Sequence, residues 1–377
     1  MKIGIITLPL HNNYGGILQA YALQKVLQDM GHDVTVIDKS QREFIKIPFL
    51  RRIYIYAKRL IKKVLVDRHL IIRWDKKHNK DIEIMRTHTS SFLLKYIKRK
   101  DAEHDYSNIK ENDFDAFIVG SDQVWRPLYF EPDIIPHAYL SFTKGWNVKR
   151  ISYAPSFGTE DWEYTQEQTE ECSKLLKKFN AVSVREASAA KLCKEHYDVD
   201  ALHVLDPTML LNIEDYINLF KSVNTPKSAG TLMCYILDNT QENKKIISLI
   251  ENELDLKAFS VNSKYEVADA PLVERIQPPV ESWIRGFYDA EYVITDSFHA
   301  CVFSILFEKP FIVYGNKKRG AARFHSLLKI FGLEDRLITT DEEAEKVINE
   351  PIDWKKVNAI KKEWQEKSLN FLKENLK

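Results

Sequence analysis

Apolar positions along the chain alternate between short continuous runs and stripes of helical spacing, the pattern of strands covered by helices on both faces. The first run, Lys2–Leu8, is rich in isoleucine and reads as a fully buried strand. Ile17, Ala20, Tyr21, Leu23 and Leu27 then give an apolar helical face over 17–30, closed by Gly31, and Val34–Ile37 forms a second strand. Strand patterns resume at Phe114–Val119, Arg150–Tyr153, Ala181–Val184 and Leu202–Leu205, with helices predicted near Thr165–Phe179 and Glu186–His196. A polar stretch near Asn224–Ala229, flanked by Pro226 and Gly230, marks a boundary. Beyond it the alternation restarts: strands at Leu232–Leu237, Lys257–Val261, Tyr292–Thr295 and Phe311–Tyr314, and helices at Glu242–Leu254, Glu281–Tyr288 and Phe298–Phe307. One long helical pattern, Trp354–Leu376, ends the chain.

Two such series predict an α/β protein of two Rossmann-like domains facing a cleft, a GT-B-like architecture, with a long C-terminal helix. The expected domains are 1–224, carrying a basic helical insertion at about 40–105 on the acceptor side, and 225–377 on the donor side. A length of 377 residues agrees with two cores. With 44% hydrophobic and 29% charged residues the composition is that of a soluble globular protein. The opening apolar run is too short for a secretory signal, and the stretch Cys301–Tyr314 is broken by Glu308 and Lys309, so a cytoplasmic protein is expected. Cys172, Cys193, Cys234 and Cys301 lack metal-ligand spacing and read as reduced core thiols; no metal site is expected.

Net charge is only +1, yet Ser40–Lys100 holds 18 Lys and Arg against 5 Asp and Glu. Within it Ile53, Ala57, Leu60, Ile61, Val64 and Leu65 recur at helical spacing, with Arg51, Arg52, Lys58, Arg59, Lys62 and Lys63 on the other face. Such a helix either rests on an anionic membrane leaflet or is a solvated helix packed on the N-terminal sheet. Because the cationic charge is confined to one segment without a recognised module, a nucleic-acid partner is not expected.

Ligands of open α/β sheets sit beyond the carboxyl ends of strands, so the residues just after strands carry the candidate chemistry. Asn13, Tyr14, Gly15 and Gly16 open the first helix, where glycines admit a ligand close to the backbone and N–H groups favour an anion; a tight turn needing glycine is the other reading. The dinucleotide fingerprint GxGxxG is absent. Ser121, Asp122 and Trp125 suit a sugar, a carboxylate for hydroxyls and an aromatic face for the ring, although Asp122 equally suits a helix cap. Arg185 offers a planar fork for a carboxylate or phosphate, or an ion pair with a nearby acid. Ser297 and His299 stand between a buried strand and an apolar helix, which points the histidine into the cleft as a proton carrier, a structural histidine being the other reading. Lys317, Lys318, Arg319 and Arg323 surround Gly320 as an anion clamp or as solvated surface charge.

These residues lie within motifs that resemble the polysaccharide pyruvyltransferase family in order: NNYGGILQAYAL, GSDQVW, YAPSFG, SVREASAAKL, VLDPTMLL and TDSFHACVFSILFEKPFI. The resemblance implies transfer of a pyruvyl group from phosphoenolpyruvate onto two hydroxyls of one sugar, giving a cyclic ketal, with no nucleotide cofactor. It implies a sugar acceptor of a bacterial surface polysaccharide, lipid-diphosphate-linked or nucleotide-linked. The family's Val-Arg-Glu arginine falls on Arg185, and its Arg-Leu-His triplet falls on Ser297, Phe298 and His299. The histidine is kept and the triplet's arginine is a serine, leaving Lys317, Arg319 or Arg323 as substitute cations. On this reading His299 is the acid/base, Arg185 and the 317–323 cluster hold the donor, and Asp122 orients the acceptor. A GT-B glycosyltransferase using a nucleotide sugar, or a non-catalytic sugar-binding protein of capsule assembly, are the alternatives.

Overall fold

The computed structural model describes residues 1–39, 44–238, 240–315 and 322–377. Seven parallel strands form the first sheet: β1 (Lys2–Ile6), β2 (Asp33–Asp38), β3 (Arg99–Asp101), β4 (Ala116–Val119), β5 (Lys149–Ser152), β6 (Ala181–Val184) and β7 (Leu202–His203), in the spatial order β3-β2-β1-β4-β5-β6-β7. Five more form the second: β8 (Leu232–Tyr235), β9 (Ala258–Phe259), β10 (Tyr292–Thr295), β11 (Phe311–Tyr314) and β12 (Leu337–Ile338), ordered β12-β11-β10-β8-β9. Every pairing is parallel, which is why β1, β4, β8 and β10 read as continuous apolar runs: helices cover both faces.

The helices are α1 (Tyr14–Asp29), α2 (Phe49–Leu65), α3 (Trp74–Met85), α4 (Thr87–Tyr96), α5 (Gln166–Leu176), α6 (Ala187–Tyr197), α7 (Ile213–Lys221), α8 (Gln241–Leu254), α9 (Val280–Asp289), α10 (Phe298–Leu306), α11 (Ala322–Phe331), α12 (Asp341–Val347) and α13 (Trp354–Asn375). Local chemistry explains their starts. Asn13 caps α1 by accepting from the Gly16 amide at 3.1 Å, and Thr165 caps α5 through a reciprocal capping box with Gln168. In α10 all nine residues are buried, because that helix lies between the second sheet and α1.

Strand order reverses between β1 and β4 in the first sheet and between β8 and β10 in the second. In a doubly wound sheet these switch points leave a crevice beyond the strand ends. Tyr14, at the start of α1, ties the two halves together there: its hydroxyl donates to the Pro278 carbonyl at 2.8 Å, and its ring packs on Trp283 and Tyr235. The last helix crosses back. Ser368 Oγ accepts from the Leu205 amide at 3.0 Å, Gln365 donates to the Met209 carbonyl, and Phe371 packs on Tyr153. The helix that sequence order groups with the second sheet thus seals the first.

All four cysteines are buried and unbridged. Among the described residues no helix is long and apolar enough to cross a membrane, and no cluster of His, Cys, Asp and Glu is arranged to hold a metal ion.

Candidate active site

The crevice at the paired switch points is a cleft of about 480 Å³. Asn13 from α1, Asp122, Arg126 and Tyr129 after β4, Tyr235 after β8, Ser297, Phe298 and His299 at the start of α10, and Arg323 of α11 line it. Its outer wall is the loop after β9, including Asn262, Lys264 and Tyr265.

His299 occupies the first turn of α10 and is only 6% exposed. Its Nε2 stands 3.5 Å from Asp206 Oδ2. On the other side the ring rests against the α1 backbone, where a β-carbon at position 15 would fall 2.1 Å from Nδ1. Gly15 is therefore a requirement of the histidine's seat. Gly16 leaves its amide to the Asn13 cap, so neither glycine lines the cleft and that amide is already satisfied.

Asp206 is the residue that organises the floor. Oδ1 accepts from the amide and hydroxyl of Thr208, at 3.0 and 2.7 Å, while Oδ2 accepts from Arg185 Nη1 at 2.8 Å and from Ser121 Oγ at 3.2 Å. Burial opposes ionisation of its carboxyl, but His299 and Arg185 outweigh burial and hold it far below the usual range. Asp122 is also held below the ordinary value: burial acts against ionisation, and Arg185, His299 and Arg323 overcome it. Glu186 goes the other way. Burial dominates over the neighbouring Arg185, raising its carboxyl, which meets the hydroxyl of Ser156. The three acids around one guanidinium thus differ in their readiness to carry charge.

Arg185 is spent on these acids. Its Nη2 reaches Asp122 at 3.3 Å, its Nε lies 3.6 Å from Glu186, and its side chain is 1% exposed beneath the Phe298 ring. It does not line the cleft, so the expectation that it holds the donor gives way to a bracing position: a fully desolvated guanidinium takes the carboxylates that fold around it. Arg323 does line the cleft, half-buried, 5.6 Å from the same Phe298 ring. Lys317, Lys318 and Arg319 lie outside the described residues.

Trp125 departs most from expectation. It is fully buried, stacked on Tyr139 at 5.1 Å with its indole N–H donating to the Ala138 carbonyl, and offers no face to a sugar. The chain turns after Val124 so that, of this loop's aromatics, Tyr129, 48% exposed, is the one that lines the cleft. Ser121 and Tyr14 are likewise internal, the first supporting Asp206 and the second joining the halves. Asn13, Asp122, Ser297, His299 and Arg323 are brought together on the cleft wall. Asp206 was not anticipated, although it stands just beyond β7 as Asp122 stands beyond β4; a strand of two residues followed by Asp-Pro gives a weak signal.

Two parallel sheets facing a polar cleft at their switch points define a GT-B-like protein. A model of the polysaccharide pyruvyl transferase family matches residues 13–318, and the chain belongs to that family of transferases. No curated protein matches it. Among solved structures it is similar to UDP-GlcNAc 2-epimerase from Neisseria meningitidis bound to UDP-GlcNAc, with a TM-score of 0.50 and 8% identity over 100% of this chain and 99% of that one. It is also similar to S. aureus MnaA with UDP, at a TM-score of 0.48 and 14% identity over 100% and 96% of the two chains. At such identity the likeness to the epimerase is one of fold.

Proposed function

We propose that the cleft transfers a pyruvyl group from phosphoenolpyruvate onto two hydroxyls of one sugar of a bacterial surface polysaccharide precursor. The observation that carries this reading is His299 on the cleft wall, backed by an ionised Asp206 that Arg185 holds in place. A histidine beside a fixed carboxylate can give and take a proton without moving. His299 protonates the methylene carbon of the enol phosphate, making C2 electrophilic. One sugar hydroxyl adds to C2 and loses its proton. Inorganic phosphate then leaves with the C–O bonding pair, and the neighbouring hydroxyl closes the ketal as its proton passes to base. Asp122, ionised at the cleft wall, orients the acceptor hydroxyls.

Arg323 takes the donor's anionic groups in place of the arginine that Ser297 replaces. Burial and the nearby Arg185 charge disfavour its protonated form while Asp122, Glu186 and Tyr129 favour it, and a bound anion would add to that favourable side. The reaction needs no resident cofactor. The acceptor sugar is carried on a lipid diphosphate or a nucleotide.

Thermal stability with phosphoenolpyruvate, and separately with UDP and UDP-sugars, tests the donor. At a hundredfold its dissociation constant a ligand stabilises the fold by roughly 2.7 kcal/mol. The expected result is a raised melting point with phosphoenolpyruvate that Arg323→Ala abolishes. A rise with nucleotides alone would replace this reading with a nucleotide-sugar glycosyltransferase.

A further inference from the structure

Helix α2 buries none of its 17 residues. Leu50, Ile53, Leu60, Ile61, Val64 and Leu65 are each more than half exposed, Leu50 at 79% and Leu65 at 75%. At 100° per residue they fall in one arc of the helix. An apolar stripe of this length is far larger than the scattered apolar residues of an ordinary surface.

The opposite arc is fastened down. Tyr56 donates its hydroxyl to Asp75 at 2.8 Å, Arg52 Nε lies 4.0 Å from the Asp75 carboxylate, and Arg59 Nε donates to the Ile71 carbonyl at 3.0 Å. The helix therefore rests on its polar side, against the start of α3, and turns its apolar side to solvent. The apolar face of α2 therefore does not lie on the first sheet, as the solvated reading of the basic segment expected.

We infer that α2 docks on an anionic lipid bilayer, its apolar arc in the headgroup–acyl boundary. Charge complementarity selects that occupant. By helical spacing Arg51, Lys58 and Lys62 border the stripe on one side and Lys63 on the other, and no acidic residue occurs in α2. Two copies pairing through this stripe would set like charges against each other. An anionic leaflet instead takes the apolar arc and the flanking cations together. Docking needs neither the donor nor turnover, so it stands or falls separately from pyruvyl transfer.

Flotation of the full chain with phosphatidylcholine vesicles doped with phosphatidylglycerol tests the inference. Binding is expected, weaker on pure phosphatidylcholine and weakened by salt. Leu50→Asp combined with Ile61→Asp should lower the bound fraction at least about tenfold, and Lys58→Glu with Lys62→Glu at least about fivefold per charge. An unchanged melting point shows that the variants fold. Wild-type chain that stays unbound overturns the inference, as do variants that float as well as wild type. A dimer in light scattering that Leu50→Asp dissociates, with no vesicle binding, assigns the stripe to a second copy instead.

Discussion

The cleft floor and helix α2 depart from the ordinary inside–outside division of a protein in opposite directions. At the wall and floor of the cleft, Asp122, Arg185, Asp206 and Glu186 are charged or ionisable and almost wholly out of water. Along α2, leucines, isoleucines and a valine are half to four-fifths exposed. The difference lies in dependence. Each buried charge is tolerable only because the others are present, whereas the apolar side chains of α2, half or more exposed, depend far less on their neighbours.

Arg185→Ala should break the floor most severely. It leaves carboxylates buried without their cation, a loss of about 3–5 kcal/mol readable by chemical denaturation. A loss below about 1 kcal/mol would mean that the acids do not depend on it. His299→Ala comes next, with turnover falling at least about 10²-fold while the fold persists. Near-normal phosphate release from phosphoenolpyruvate would remove His299 from the chemistry. Gly15→Ala approaches the same loss, up to about 10²-fold, because the new β-carbon pushes the ring from its seat although alanine suits the helix better than glycine.

A smaller effect is set by pH. His203, whose Nε2 donates to the Arg185 carbonyl at 3.0 Å, is lowered by burial from 6.5 to about 4. Below 6.5 the unfolded chain takes a proton that the folded chain refuses, so stability declines as pH falls from about 6.5 to about 4. His203→Gln should flatten that decline in urea titrations. An unchanged slope would show that His203 does not couple the floor to pH. The smallest effect belongs to α2: Leu50→Asp should alter stability by no more than about 0.5 kcal/mol, since the residue is 79% exposed. A large loss there would show that the stripe is covered after all, and the comparison would fail.

Asp122, Arg185 and His299 were readable as candidates because each follows a strand, and parallel sheets gather such residues at one edge. Their tasks were not readable. Arginine beside glutamate in the chain suggested a ligand-binding fork as readily as a brace, and only the three surrounding carboxylates decide for the brace. Trp125 and Tyr129 lie four residues apart in one loop, and the direction of each ring depends on how the chain turns after Val124. In α2 the helical period was plain, but an amphipathic helix is expected to turn its apolar arc inward. The contacts of Arg52, Tyr56 and Arg59 turn it outward.

By itself the sequence determined the alternation of strands and helices, the family, and the edge of the sheets where chemistry would gather. Those properties follow from local periodicity and short motifs, which neighbouring residues specify. The tertiary structure alone decided which charges meet. Arg185 lies 21 residues from Asp206 and 63 from Asp122, and His299 reaches the group from the second sheet. An ion pair in low dielectric is sensitive to separations of a single ångström, and separations between distant segments exist only once both sheets have closed on the cleft.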